Sequence, residues 1–185
     1  DLDREISRLE QKAAEGAEVV IASSDKDFMQ LVSPGVGLLN PNDKSETIWG
    51  AEHVRVKTGV EPGQIVDWLA LIGDAVDNIP GVPGVGPKTA TDLLNQFGSV
   101  AGLYARLVEV KSERIRTVLA ASAEAVKRNV ALVRLKDDLP FEFELEALAE
   151  QASQPGVLRE LCARWGFRSL LAELETAPSH QAVLL

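Results

Sequence analysis

The stretch from Ile72 to Leu94 reads IGDAVDNIPGVPGVGPKTATDLL, and the interpretation of the whole chain starts from it. Its first half carries two carboxylates, Asp74 and Asp77, and its second half is rich in Gly and Pro as far as Pro87. Because Pro suits the first position of a helix, a helix is predicted to begin at Pro87. Acidic side chains beside such a turn indicate a divalent-metal site next to a phosphate-binding element. A nuclease needs both parts, one to hold the nucleic-acid backbone and one to activate water.

The turn at residues 81–88 reads GVPGVGPK and predicts a phosphate-binding hairpin. Gly84 and Gly86 permit close approach of a ligand and a positive φ angle. Free amides at the start of the next helix would point at a phosphate, with Lys88 and Thr89 beside them. The pattern is typical of a helix–hairpin–helix motif, which binds backbone phosphates without reading bases. An ordinary turn between two helices is the alternative. The candidate DNA-binding residues are Gly81, Gly84, Val85, Gly86, Lys88 and Thr89.

Charge is unevenly distributed along the chain, whose net charge is −9. Residues 78–136 contain nine Lys and Arg against four Asp and Glu, so a basic middle separates two acidic ends. A basic segment attracts phosphate whatever the total charge of the chain. Solvated helix faces would give the same composition, and this alternative stays open.

Length and composition are those of an ordinary globular protein, with 185 residues and 45% hydrophobic content. One domain or two small ones fit this length. No apolar run approaches the ~18 residues of a membrane span, and no signal-peptide pattern is present. The single cysteine, Cys162, excludes an internal disulfide and favours a reducing cytoplasm. Its place in a helical pattern predicts a small core residue.

Hydrophobic periodicity predicts an α/β part followed by an α part. An amphipathic helix is expected at 3–15, and strands at 19–22, 36–39 and 47–49, the first of them a buried parallel strand. Beyond residue 50 the strand signals almost vanish. Helices are predicted at 50–57, 62–72, 87–96, 99–108, 112–119, 122–134, 155–164 and 168–175.

A second pair of acids, Asp25 and Asp27, follows the first predicted strand directly. Ligands gather at the carboxyl ends of parallel strands, because the loops there converge on one crevice. Carboxylate oxygens suit Mg²⁺ or Mn²⁺. The alternative is structural: Ser24 or Asp25 would cap a helix covering 26–32.

The first pair, Asp74 and Asp77, is predicted at the end of the helix 62–72, where a spacing of three places both acids on one face. Two acids at a helix C-terminus are electrostatically unfavourable. This arrangement indicates a cation that compensates them. Two solvated loop carboxylates are the alternative.

Three stretches carry a resemblance to a known family: SSDKDFMQLV at 23–32, DWLALIGDAVDNIPGVPGVGPKTA at 67–90 and WGFRSLL at 165–171. Over residues 1–175 the chain resembles the 5′-nuclease (5′-3′ exonuclease) domain of bacterial DNA polymerase I, which is kin to the flap endonucleases. The central stretch is too long for a chance match.

The resemblance implies a fold in which an α/β region is followed by a helical region. Residues 1–59 would form the C-terminal part of a PIN-like parallel-sheet nuclease core. Residues 60–176 would form the helical C-terminal region of a 5′-3′ exonuclease, with the helix–hairpin–helix motif, and residues 177–185 a tail or linker.

The resemblance also implies the cofactors, since family members gather acids around two divalent ions, here Mg²⁺ or Mn²⁺. The family motif Glu-Ala-Asp-Asp appears in this chain as Asp1-Leu2-Asp3-Arg4, where Arg4 replaces an acid. A K⁺ ion on the hairpin carbonyls is a further implied cofactor. The implied metal ligands are Asp1, Asp3, Asp25, Asp27, Asp74 and Asp77, of which the last four are the implied catalytic residues.

The implied reaction is metal-dependent hydrolysis of DNA at a 5′ end, as an exonuclease or as a flap endonuclease. The expected protein is a cytoplasmic, bacterial monomer that binds duplex DNA with a 5′ end, nick or flap, with a polymerase fused to its C-terminus in the family. Because further family acids and a basic arch would precede Asp1, the chain is expected to be an incomplete fragment that cuts weakly alone. His53 and His180 are expected at the surface.

Two alternatives come from other classes of protein. A non-catalytic DNA-binding module would have the same fold and use only the hairpin. A phosphatase with Asp-x-Asp after a strand would explain Asp25 and Asp27 but leaves the sequence GVGPK at 84–88 unexplained.

Overall fold

A short sheet opens the described part of the chain, which comprises residues 18–136 and 154–176 of the computed structural model. Residues 1–141 and 142–185 form two separate units. The predicted helix 3–15 and the predicted tail 177–185 lie outside the described residues, as do the candidate ligands Asp1 and Asp3 and the predicted surface residue His180.

The sheet has two parallel strands and one antiparallel strand, which confirms the strand predictions. Val19 of the first strand lies opposite Val36 of the second. Val19 and Ile21 are buried, but Val20 between them is 46% exposed. The first strand therefore buries one face, and the prediction of a fully buried strand is wrong. The strands are β1 Val19–Ala22, β2 Val36–Leu39 and β3 Ile48–Trp49.

Helices make up most of the rest of residues 18–136, close to the predicted bounds. They are α1 Ala51–Thr58, α2 Ile65–Ile72, α3 Pro87–Phe97, α4 Val100–Ala105, α5 Glu113–Ala121 and α6 Ala123–Val133. Two predicted helices are shorter, since each includes a 3-10 turn, at Pro62–Gln64 before α2 and at Leu107–Glu109 after α4. At Arg106 the chain leaves helical geometry, and the Arg106 guanidinium donates to the Phe97 carbonyl at 3.0 Å.

Helix α2 lies at the centre of the core. Its residues Ile65, Leu69 and Leu71 are fully buried, because this helix packs on α3, on α6 and on a 3-10 helix at Lys26–Leu31. The 3-10 helix follows β1. The central helix therefore links the loop after β1 to the segment that follows Ile72.

A two-stranded hairpin follows α2, with strands β4 Gly73–Asp74 and β5 Ile79–Pro80 paired antiparallel. Sequence analysis did not predict these two strands, because they lie in a stretch of Gly, Asp, Asn and Pro residues that is typical of a turn. Gly81 leaves the hairpin in backbone contact with α2, and a Cβ at this position would overlap the Ile72 carbonyl. Gly81 therefore permits close packing of backbone on backbone.

The described part of the second unit is a pair of helices, α7 Pro155–Trp165 and α8 Arg168–Thr176. Gly166 ends α7 in the left-handed conformation at φ 72°, and its amide donates to the last carbonyls of the helix. Cys162 is 2% exposed, which confirms its prediction as a buried residue. No helix among residues 18–136 and 154–176 is long and apolar enough to cross a membrane.

Candidate metal centre and nucleic-acid interface

The loop after β1 contains two acids with different roles, since Asp25 caps a helix and Asp27 belongs to a group of acids. Asp25 is the N-cap of the 3-10 helix, and its Oδ1 accepts the Asp27 amide at 3.0 Å. The capping alternative from the sequence is therefore correct for Asp25, whose side chain is exposed. Asp27 lies two residues further, in the first turn of this helix, is 9% exposed and lies close to Asp74 and Asp77.

The hairpin loop between β4 and β5 carries the other pair of acids. Asp74 and Asp77 lie beyond the end of α2, so the prediction that a helix presents them on one face is wrong; a turn brings them together. Asp74 Oδ1 accepts the Val76 amide at 3.0 Å, and Asp74 Oδ2 accepts a hydrogen bond from Lys26 Nζ. Asp74 is buried and Asp77 is exposed.

Asp27, Asp74 and Asp77 form an acidic cluster in which one carboxylate oxygen of each residue lies within 4.8 Å of the others. Asp27 Oδ1 is buried and has no hydrogen-bond partner among the described residues. A buried acceptor without a partner costs about 1–3 kcal/mol. Hard oxygen donors around an unpaired acceptor fit a divalent cation such as Mg²⁺ or Mn²⁺. Asp25 is outside this group of three.

The pKa values of the two buried acids, Asp27 and Asp74, are shifted in opposite directions. Burial, with the repulsion of Asp25, raises the pKa of Asp27 to about 6 against an attraction from Lys26. Burial alone would raise the pKa of Asp74, but the hydrogen bond from Lys26 and the amides of Val76 and Asp77 outweigh it, so the pKa of Asp74 is lowered. The Asp74 carboxylate is therefore ionised where Asp27 still holds a proton.

Lys26 is a site residue that the sequence analysis missed. Burial would lower its pKa, but the hydrogen bond and the charge of Asp74 outweigh burial and raise that pKa. The Lys26 ammonium thus joins the loop after β1 to the hairpin loop. The signal was present in the sequence, since Lys26 stands between two acids that were themselves singled out.

Without metal, stability is expected to fall as pH rises from about 4 to about 7, by up to ~3 kcal/mol from Asp27 alone. The pKa of Asp27 is about 6 in the folded protein and 3.8 in the reference state, so the folded state binds the proton more tightly. Urea unfolding in chelator across this range should show Asp27→Asn gaining on wild type with rising pH and then levelling. A stability difference that does not change with pH would contradict the raised pKa.

The turn at 81–88, which the sequence predicts to bind phosphate, contains two buried valines, Val82 and Val85, and the Val85 amide donates to the Val82 carbonyl at 3.0 Å. Gly84 between them has φ +77°, a left-handed conformation that favours glycine. Gly86 has φ −95° and is extended, so the expectation of a positive φ there is wrong. The Arg114 guanidinium of α5 lies over Gly84. Arg114 is 30 residues beyond Gly84 in the sequence, so no local pattern indicated that the two residues meet.

Helix α3 begins at Pro87 as predicted. Its N-cap residue is Gly86, which has no side chain that could cap the helix. Lys88 in the first turn is exposed, and Thr89 beside it is half-buried. The first-turn amides and the Lys88 ammonium are thus on the surface, where the helix dipole favours an anion.

His53 is exposed, as the sequence analysis predicted. Its ring stacks on Trp49, and its Nδ1 accepts a hydrogen bond from the Gly50 amide.

The fold is that of a flap endonuclease. A T5 5′-exonuclease mutant matches 71% of this chain and 53% of its own, with a TM-score of 0.62 and 26% identity. A family model described as 5′-3′ exonuclease, C-terminal SAM fold, matches residues 60–155. The chain belongs to this 5′-3′ exonuclease family.

The curated relatives of this chain include DNA polymerases I and a 5′-3′ exonuclease. DNA polymerase I of Rhizobium leguminosarum is 44% identical over 75% of this chain and 13% of its own length. The thermostable DNA polymerase I of Thermus thermophilus is 40% identical over 94% of this chain and 20% of its own. The 5′-3′ exonuclease of Aquifex aeolicus is 37% identical over 95% of this chain and 59% of its own. The chain thus spans less than two thirds of each of these relatives, from 13% to 59% of their length.

Proposed function

We propose that this chain is part of a metal-dependent 5′-nuclease that hydrolyses DNA phosphodiester bonds at or near a 5′ end. The observation that carries the proposal is the acidic cluster, whose three carboxylates converge within 4.8 Å, two of them on the hairpin that directly precedes the turn at 81–88 in the chain. Membership of the 5′-3′ exonuclease family supports this reading. Exonuclease and 5′-flap cleavage are the same chemistry on different DNA ends.

We propose Mg²⁺ or Mn²⁺ as the cofactor, with two ions as the family resemblance implies. Asp27, Asp74 and Asp77 would hold an ion, and Asp25 and the acids Asp1 and Asp3 remain proposed ligands. Bound divalent ions lower the pKa of water and stabilise the charge of a leaving oxygen. The protein's own part is to keep Asp74 ionised through Lys26 and to release the proton of Asp27 when a cation binds.

The turn and α3 would hold duplex DNA as a helix–hairpin–helix motif, with a K⁺ ion on the turn carbonyls as a proposed second cofactor. Support comes from the exposed first turn of α3 and from two cations beside it, Lys88 and Arg114. Both would contact backbone phosphates, which carry no sequence information. Binding is therefore proposed to be independent of sequence.

Lys88→Ala is expected to weaken duplex binding several-fold, about equally for all sequences, and to reduce the salt slope of log K by ~1. Fluorescence anisotropy on unrelated duplexes at several salt concentrations measures both quantities. Lys44→Ala is the control, because it removes the same charge from the exposed loop before β3. A loss that depends on the duplex sequence would indicate base readout and contradict the proposed motif.

One observation favours a second candidate, the non-catalytic DNA-binding module. Lys26 already neutralises Asp74, and Asp27 has a pKa near neutrality, so the cluster has partial charge compensation without any metal. A module of this kind would bind a 5′-flap duplex and never cut it. Cleavage and binding measured in parallel on one labelled 5′-flap duplex separate the two candidates.

We further propose the organisation and setting of the protein. The α/β region 1–59 would belong to a PIN-like nuclease core, with 60–176 as the helical exonuclease region and 177–185 as a tail or linker. The setting would be the bacterial cytoplasm, with a monomer acting on nicked or flapped DNA. The relatives named DNA polymerase I support a polymerase as the fused partner.

A further inference from the structure

Helix α6 carries no acid of the cluster, yet hydrogen bonds join it to both loops that do. Two amide side chains make these bonds, Asn129 within the helix and Gln30 at the end of the 3-10 helix. Neither residue was singled out by the sequence, because each is a lone polar residue in an otherwise ordinary helical pattern. Their partners are backbone carbonyls and an amide on segments far apart in the chain.

Asn129 joins α6 to the base of the hairpin loop. It is 1% exposed, and its Nδ2 donates to the Ala70 carbonyl at 3.1 Å and to the Pro80 carbonyl at 2.8 Å. Ala70 belongs to the last turn of α2 and Pro80 to β5, so these two carbonyls flank the segment with Asp74 and Asp77. One amide group thus closes the base of the loop that presents both acids.

Gln30 joins the end of α6 to the loop after β1. Its Nε2 donates to the Asp27 carbonyl and to the Val133 carbonyl, each at 3.0 Å, and its Oε1 accepts the Leu135 amide at 3.1 Å. The backbone of Asp27, whose carboxylate belongs to the acidic cluster, is therefore bonded to the segment that ends α6. Both acid-bearing loops are therefore hydrogen-bonded to one short stretch, from Asn129 of α6 to Leu135 just beyond its end.

We propose that Asn129 and Gln30 are positioning residues of the metal centre, which fix Asp27 against Asp74 and Asp77. Carboxylates repel one another, and the only direct side-chain tie between the loops that the described residues show is Lys26 to Asp74, with Lys26 38% exposed. The two amides add further restraint through the buried face of α6 and the segment that follows it. The inference rests on the proposed function, because a metal centre is what such restraint would serve.

Mn²⁺ titration of the full chain, followed by the electron paramagnetic resonance of free Mn²⁺, tests the positioning role. Asn129→Ala and Gln30→Met are expected to weaken Mn²⁺ binding by about tenfold, as the loss of groups that orient metal ligands does. Val126→Ala, which trims another buried residue of α6, should lower the melting temperature and leave Mn²⁺ affinity within about twofold. Folded Asn129→Ala and Gln30→Met variants that bind Mn²⁺ like wild type would overturn the proposal, as would an equal loss in Val126→Ala.

Hydrogen exchange without metal gives a second readout, which holds even where wild type binds no Mn²⁺ and the proposed function itself fails. The Val82 amide, bonded to the Leu71 carbonyl at 2.8 Å, reports closure of the hairpin base. The exchange rate of the Val82 amide should be at least tenfold higher in Asn129→Ala than in Val126→Ala. Equal rates in these two variants would overturn the role of Asn129.

Discussion

Asp74→Asn is expected to lower cleavage of a 5′-flap duplex by at least ~10²-fold in the complete gene product, with duplex binding changed only a few-fold. Asp74 is 3% exposed, and Lys26 and two backbone amides lower its pKa, so its loss removes from the cluster a buried carboxylate that is held in its ionised form. Charges that act mainly on the transition state change the rate more than they change binding. Duplex binding is proposed to reside in the turn and α3, which the substitution does not alter.

Asp43→Asn is a matched control for this prediction. Asp43 Oδ1 accepts the Ser45 amide at 2.9 Å, as Asp74 Oδ1 accepts the Val76 amide at 3.0 Å, so both substitutions alter the same kind of turn and the same charge. Labelled 5′-flap DNA, with cleavage and anisotropy measured in parallel, gives the two quantities. Equal rates in Asp74→Asn and wild type, or a gene product that binds the flap and never cuts it with Mg²⁺ or Mn²⁺, would favour the binding module.

Divalent metal is expected to stabilise the chain by about 2.7 kcal/mol at ~100 times its Kd, because it binds only the folded cluster. In chelator, Asp27→Asn should be more stable than wild type at neutral pH, since it removes a carboxyl group whose ionised form is disfavoured by burial, as its raised pKa of about 6 shows. With saturating Mg²⁺ or Mn²⁺ the order should reverse. Thermal melts of both proteins, with and without metal, check the two signs. The same metal shift in both proteins would contradict a shared site.

The sequence predicted those features that depend on local patterns. Asp27 was found because it follows a strand, and Pro87 because proline opens helices, and both stand where the pattern placed them. The Gly-rich turn was found by its composition, and Gly84 has the left-handed conformation that such a turn requires. Sequence position therefore identified the acids and the turn before any contact was known.

The sequence could not predict features that depend on which distant segments meet. Lys26 pairs with Asp74 across 48 positions, and Asn129 bonds to Ala70 across 59. A single amide side chain in a helix gives no periodic pattern. Its structural role depends on the distant carbonyls to which it donates hydrogen bonds. The same holds for Arg114, which lies over Gly84 only because α5 packs there.

The most direct test of the central claim is calorimetric titration of Mn²⁺ into the metal-free chain at neutral pH. The claim is that Asp27, Asp74 and Asp77 together hold a divalent cation. We expect wild type and Asp43→Asn to bind alike, and Asp27→Asn and Asp74→Asn each to bind at least ~10-fold more weakly, as the loss of a ligand predicts. Equal Mn²⁺ affinity in all four proteins, or no binding by folded wild type, would contradict the claim.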